Sequence, residues 1–175
     1  MAKRFELKDF EKVFQQYKDK VFKTAYLVVG NVQEAEDILQ EVFIKVYEQF
    51  GSYDVSKGSM STWLHRITVN HCISKKRKKH VMSYSSDEME DRGIELAESP
   101  VEIPEELLIK DEESRQVWQA IKSIDEKHRA VLALRYFDGL SYDDIAKALN
   151  IPLGTVKSRL NMAIKNLRRQ MAGSE

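Results

Sequence analysis

Between Lys157 and Arg169 the chain carries five bases, Lys157, Arg159, Lys165, Arg168 and Arg169, and no carboxylate. Laid on a helix, Thr155, Lys157, Ser158, Asn161, Lys165 and Arg168 share one face, and Val156, Leu160, Ala163, Ile164 and Leu167 fall on the other. Cations attract phosphate, and hydroxyl or amide groups such as those of Ser158 and Asn161 can hydrogen-bond base edges, so this face suits DNA recognition. A solvated basic helix is the plainer alternative. Catalysis has no comparable support. His65, His71, His80 and His128 lack metal-ligand spacing, no Gly-rich phosphate loop occurs, and no serine has a nucleophile's context. No catalytic residue, metal or cofactor is expected. Cys72 is the single cysteine, which excludes an internal disulfide and leaves a structural thiol as the simplest reading.

The basic face needs a support that presents it. Ser141 stands three residues before Asp144 and Leu140 five before Ile145, the spacings of a capping box and a hydrophobic staple. They start a helix whose buried edge is Ile145, Ala148 and Leu149. Asn150 suits a left-handed cap and Pro152 blocks continuation, so a short turn leads into a second helix near Gly154. The unit is a helix-turn-helix whose second helix fits the major groove.

Upstream, Phe10, Val13, Phe14, Tyr17, Val21, Ala25 and Val28 recur at helical spacing to Gly30. Asn31 then caps a second helix, three residues before Glu34, with Ala35, Ile38, Leu39, Val42, Val46 and Phe50 as its apolar stripe. The two should pack antiparallel. Residues 51–59 have loop composition, and Trp63, Leu64, Ile67 and Ile73 mark a third helix that runs into Lys75, Lys76, Arg77, Lys78 and Lys79. Further on, Pro104 with Glu105 and Glu106 suits a helix start continued by Trp118, Ile121 and Ile124. Another helix points Val131, Leu134 and Phe137 inward and closes at Asp138 and Gly139.

The whole chain is neutral, but residues 83–113 hold twelve acids and two bases, a local charge of −10 that leaves +10 elsewhere. That segment reads as a flexible acidic linker, either simply solvated or competing with DNA for the basic lobes. The fold class is all-α: two small helical domains, residues 1–80 and 111–175, tethered rather than fused by a linker over 81–110. No apolar run approaches the roughly 18 residues that span a bilayer, so a cytoplasmic protein without membrane insertion is expected.

Gly139-Leu140-Ser141-Tyr142 and Gly154-Thr155-Val156-Lys157-Ser158-Arg159-Leu160 resemble the promoter-reading domain of bacterial sigma factors. Ala35-Glu36-Asp37-Ile38-Leu39-Gln40-Glu41-Val42-Phe43 resembles the sigma helix that docks on core RNA polymerase. Ser61-Thr62-Trp63-Leu64-His65-Arg66-Ile67 with Val69-Asn70 resembles the strand-opening helix. Three motifs in this order, with only two domains, resemble the extracytoplasmic-function group.

The resemblance implies that Asp37, Gln40 and Glu41 meet the clamp helices of core RNA polymerase. It assigns the minus-ten element to Trp63, Arg66, Asn70, Lys75, Lys76, Arg77 and the 51–59 loop, with Asn70 capturing a flipped base. It maps minus-thirty-five contacts onto Thr155, Lys157, Ser158, Arg159, Asn161 and Met162. Asn161 and Met162 depart from the aromatic or histidine followed by arginine that many relatives carry; Asn161 would fit adenine, and Met162 could instead turn inward. Read from the residues alone, the α-helical edge and the lysine run also fit solvated surfaces, and Trp63 fits a core residue. The implied function is an alternative sigma factor, responsive to a signal and held by an anti-sigma factor, with core RNA polymerase and promoter DNA as partners. The alternative is a dimeric helix-turn-helix regulator.

Overall fold

A computed structural model describes residues 7–84 and 112–173. Among them are seven α-helices: α1 (Leu7–Val29), α2 (Val32–Gln49), α3 (Met60–Tyr84), α4 (Glu112–Lys122), α5 (Glu126–Leu132), α6 (Tyr142–Leu149) and α7 (Leu153–Ala172). No strand occurs among the described residues. The linker reading over residues 85–110 and the helix start at Pro104 lie outside the described residues.

The first two helices form the expected hairpin. Gly30 adopts φ +74° and donates to the Tyr26 carbonyl at 2.8 Å, which ends α1 in a conformation that favours glycine. Asn31 Oδ1 then accepts from the Glu34 amide at 2.9 Å and starts α2. Helix α3 lies across both, and Val21, Val28, Ile38, Val42, Val46 and Leu64 fill the space between them. Each such side chain stabilises the fold by about 1.5–3 kcal/mol. Two short 3₁₀ turns, Phe50–Ser52 and Val55–Lys57, make the connection to α3. That helix continues to Tyr84, past the boundary expected at residue 80, because residues 81–84 contain no glycine or proline.

In the C-terminal half, α4, α5 and α6 pack around α7, with Val131, Leu134, Ile145, Val156 and Leu160 buried. Ser141 Oγ accepts from the Asp144 amide at 3.1 Å, and Asn150 adopts φ 52°, ψ 51°. Both helix-turn-helix boundaries therefore form as the capping chemistry requires. Phe137 corrects the expectation that it points inward: it is 50% exposed. A single π-turn, Ala133–Phe137, follows α5, widening the helix and rotating Phe137 off the apolar stripe.

The two halves are also not simply tethered. Helix α1 packs on α5 and α3 packs on α6, and the buried residues of both halves form one apolar cluster. Tyr26 stacks on Trp118 with ring centroids 4.7 Å apart. A Cβ at Gly30 would stand 3.3 Å from Arg129 Nη1, so the end of α1 meets α5 closely. Periodicity within each helix exposes the stripe that must be buried, but not which stripe of the other half covers it.

Candidate nucleic-acid and polymerase interfaces

On α2, Asp37 and Gln40 are exposed on one edge, as their spacing requires. Glu41 is half-buried and committed to neighbours. Lys75 Nζ donates to its Oε1 at 2.9 Å, and His71 Nε2 is bonded to its Oε2. Lys45 Nζ donates to His71 Nδ1 at 2.7 Å, so Nδ1 accepts and the imidazole proton sits on Nε2, facing Glu41. Burial opposes the charged form of Glu41, but the bonds from His71 and Lys75 outweigh it and hold its carboxyl below the usual range. The same edge continues into Ile44 and Tyr47, 59% and 53% exposed, which sequence reasoning missed. The available signal was that both fall off the Val42–Val46 stripe. A polar edge running into exposed apolar side chains can seat a helix of another protein.

The residues assigned to opening DNA lie along α3. Trp63 is half-buried against Phe50 at 6.4 Å and Tyr53 at 5.4 Å, so it props the 51–59 loop. Tyr53 also donates to the Gly58 carbonyl at 3.3 Å, and Asp54 accepts from the Ser56 amide at 2.9 Å. The loop is thus held by its own side chains. Arg66 and Arg77 are exposed. Asn70, Lys75 and Lys76 are not free: Asn70 Nδ2 donates to the Ala148 carbonyl of α6 at 2.7 Å, Lys75 binds Glu41, and Lys76 Nζ lies 2.8 Å from Glu126 Oε1 on α5.

The outer face of α7 is open. Lys157, Ser158, Asn161, Met162, Lys165 and Arg168 are exposed, and Thr155 and Arg159 are half-buried at its margin. Met162 is 46% exposed, so it stays on the outer face with Asn161 and does not turn into the core. Pro152 caps α7 without a side-chain hydrogen bond, and the first turn carries no acid, leaving a positive helix end beside the basic face. Val156, Leu160 and Ala163 anchor the opposite side. Such a helix can lie in a major groove with cations at the phosphates and Ser158, Asn161 and Met162 at base edges.

Three further residues, Thr24, His65 and Asp138, form a buried polar contact away from these faces. His65 Nε2 faces Asp138 Oδ1 at 2.9 Å, and its Nδ1 meets Thr24 Oγ1 at 2.7 Å. The His65 and Asp138 side chains are only 3% and 4% exposed. Burial raises the Asp138 carboxyl above its ordinary range, against the opposing effects of His65 and Lys20. No spacing rule pairs residues 73 positions apart, so this contact had no sequence signal.

Residues 13–81 match the family model described as Sigma-70 region 2, and residues 114–167 match that described as Sigma-70, region 4. The chain is 38% identical over 166 residues to the ECF RNA polymerase sigma factor SigW of Bacillus subtilis (strain 168), covering 93% of this chain and 88% of that protein. It is 33% identical to the RNA polymerase sigma-H factor of Pseudomonas aeruginosa, over 91% of this chain and 84% of the other. The fold is similar to that of the sigma factor RpoE solved in complex with the anti-sigma factor NepR from Bartonella quintana. That likeness has a TM-score of 0.72 and 22% identity, covering 95% of this chain and 98% of that one.

Proposed function

The chain belongs to the extracytoplasmic-function group of RNA polymerase sigma factors, and on that premise we propose how its own residues perform promoter selection. It is an alternative sigma factor that directs core RNA polymerase to particular promoters. The observation that carries this is the near full-length similarity to SigW, with both region models in order. Within that function, the domains of residues 1–80 and 111–175 divide the work. Asp37, Gln40 and Glu41 dock on the polymerase clamp, with Ile44 and Tyr47 extending the contact. Thr155, Lys157, Ser158, Arg159, Asn161 and Met162 read the minus-thirty-five duplex.

Asn70 and the 51–59 loop capture a flipped minus-ten base, offsetting an unstacking cost of a few kcal/mol. Arg66, Lys75, Lys76 and Arg77 track the backbone beside it, while Trp63 supports the loop. The chain performs no catalysis; polymerase makes the RNA. No helix among the described residues is long and apolar enough to cross a membrane, and the protein acts in the cytoplasm. Because RpoE was solved with an anti-sigma factor, we extend such a partner to this chain.

The test is reconstitution with core polymerase, selection of bound genomic fragments, and transcription from the selected linear templates. Promoter-specific transcripts are expected. Dimeric binding to a palindrome with no effect on transcription would support the stand-alone regulator instead.

A further inference from the structure

Of the three residues assigned to the polymerase clamp, Asp37 and Gln40 are exposed on α2, whereas Glu41 is braced by donors from α3. A glutamate on a helix surface turns about several bonds and loses that freedom when a partner fixes it, which weakens binding. Glu41 is already fixed. Each carboxylate oxygen takes its own donor, Oε1 from Lys75 Nζ at 2.9 Å and Oε2 from His71 Nε2. Its side chain nevertheless stays 44% exposed, so the oriented carboxylate can be reached from outside.

The two donors are not equivalent. Lys75 brings a positive charge that offsets part of the carboxylate's attraction for an incoming cation. His71 does not. Lys45 Nζ can only donate and lies 2.7 Å from His71 Nδ1, so the ring is a neutral relay that accepts on one nitrogen and donates on the other. A cation behind the imidazole polarises its N–H and strengthens the bond it donates. His71 thus orients Glu41 without neutralising it. Burial opposes the charged form of Glu41, yet the bonds from His71 and Lys75 hold its carboxyl below the usual range. The His71 side chain is only 13% exposed, and both its nitrogens are engaged within the chain.

We infer that His71 is a positioning residue for polymerase docking: held in one tautomer by Lys45, it presents the Glu41 carboxylate in one orientation to a cationic group of the clamp. This role rests on the assignment of Glu41 to that contact. Asp37 lies outside the relay and serves as the control.

The test is a double-mutant cycle on the full chain. Anisotropy of N-terminally labelled protein reads the Kd for purified core RNA polymerase, and a thermal melt accompanies every variant. His71→Leu should raise Kd about fivefold or more. His71→Gln should restore most of the affinity, because a side-chain amide also offers an acceptor to Lys45 and a donor to Glu41. In a Glu41→Ala background, His71→Leu should change Kd by less than about twofold, and in an Asp37→Ala background it should have its full effect.

A merely structural histidine would weaken binding equally in every background, and that result overturns the positioning role. Wild-type affinity in a folded His71→Leu overturns it too, as does failure of His71→Gln to recover affinity. If His71→Leu does not fold, Lys45→Met decides. Loss of that cation frees Nδ1, and Kd should rise about threefold with the same dependence on Glu41; wild-type affinity there overturns the role. Glu41→Ala alone separates the two levels. An unchanged Kd in that variant removes Glu41 from the docking contact and the role of His71 with it, whereas weakened binding beside an inert His71→Leu leaves the contact standing and removes only the positioning.

Discussion

Asp37 and Glu41 have the same assigned task but different surroundings, and mutation should separate them. Asp37 is exposed on the α2 edge, whereas Glu41 ties α2 to His71 and Lys75 on α3. Asp37→Lys should weaken core binding about tenfold or more and leave Tm within the small range of a surface change. Glu41→Lys should weaken core binding and also lower Tm, because it sets a third cation against Lys45 and Lys75. Pull-down on core polymerase with parallel thermal melts reads both, and equal melts for the two variants would refute the distinction. Cys72 is a free thiol buried in the core. Burial comes first among the causes that push its thiol up to about 12, so thiolate at neutral pH is rarer than for an ordinary thiol by a factor on the order of a thousand. Keeping the thiol neutral contributes stability below its ordinary pKa of 9.0, and this is lost as pH rises toward 12. Iodoacetamide at pH 8 should label Cys72 only after denaturation; rapid labelling of the native chain would show that the burial is wrong. That Cys72 is structural was legible in the sequence, from its solitude. That Glu41 is shared between two helices was not, because the partner lies 30 residues away.

At the scale of elements, local chemistry proved the more readable part. The Ser141–Asp144 spacing specified the start of α6, and the structure adds a second bond, Ser141 Oγ to Asp144 Oδ2 at 2.6 Å. Ser141→Ala should cost about 1 kcal/mol and lower Tm by a few degrees. The loss should be matched by weaker minus-thirty-five binding in holoenzyme, since α6 and the turn position α7. An unchanged melt would mean that Tyr142–Leu149 is held by packing alone. Asn31 was legible for the same reason, since an N-cap needs only a side chain and a backbone amide a few residues apart, and Asn150 was legible because asparagine tolerates the left-handed backbone that ends α6. Phe137 was not. A helical stripe assigns it inward, and only the five-residue π-turn carries it past that face to solvent. Nor was the outward placement of Met162 legible, because a flexible thioether beside the buried Leu160 and Ala163 can face either way.

For the whole molecule, the question is whether two halves with separate tasks fold as one unit. The sequence favours separateness, because acidic residues 83–113 divide the chain and each half has its own amphipathic helices. The packed structure instead joins both halves in a single buried cluster, with Tyr26 stacked on Trp118, Asn70 capping α6 and Arg129 enclosed beside Gly30. An interface of this kind couples unfolding when opening it exposes apolar surface that neither half can cover alone. Calorimetry of the wild-type chain should therefore show one transition, with calorimetric and van't Hoff enthalpies equal. Trp118→Ala removes the ring that stacks on Tyr26, from a helix that also supports α7. Its thermogram should split, with the C-terminal half melting first and the three helices α1, α2 and α3 near their original temperature. Two transitions already present in wild type would mean that the interface is too weak to couple the halves. The resting chain would then be open, and polymerase would meet two independent domains rather than release one from the other.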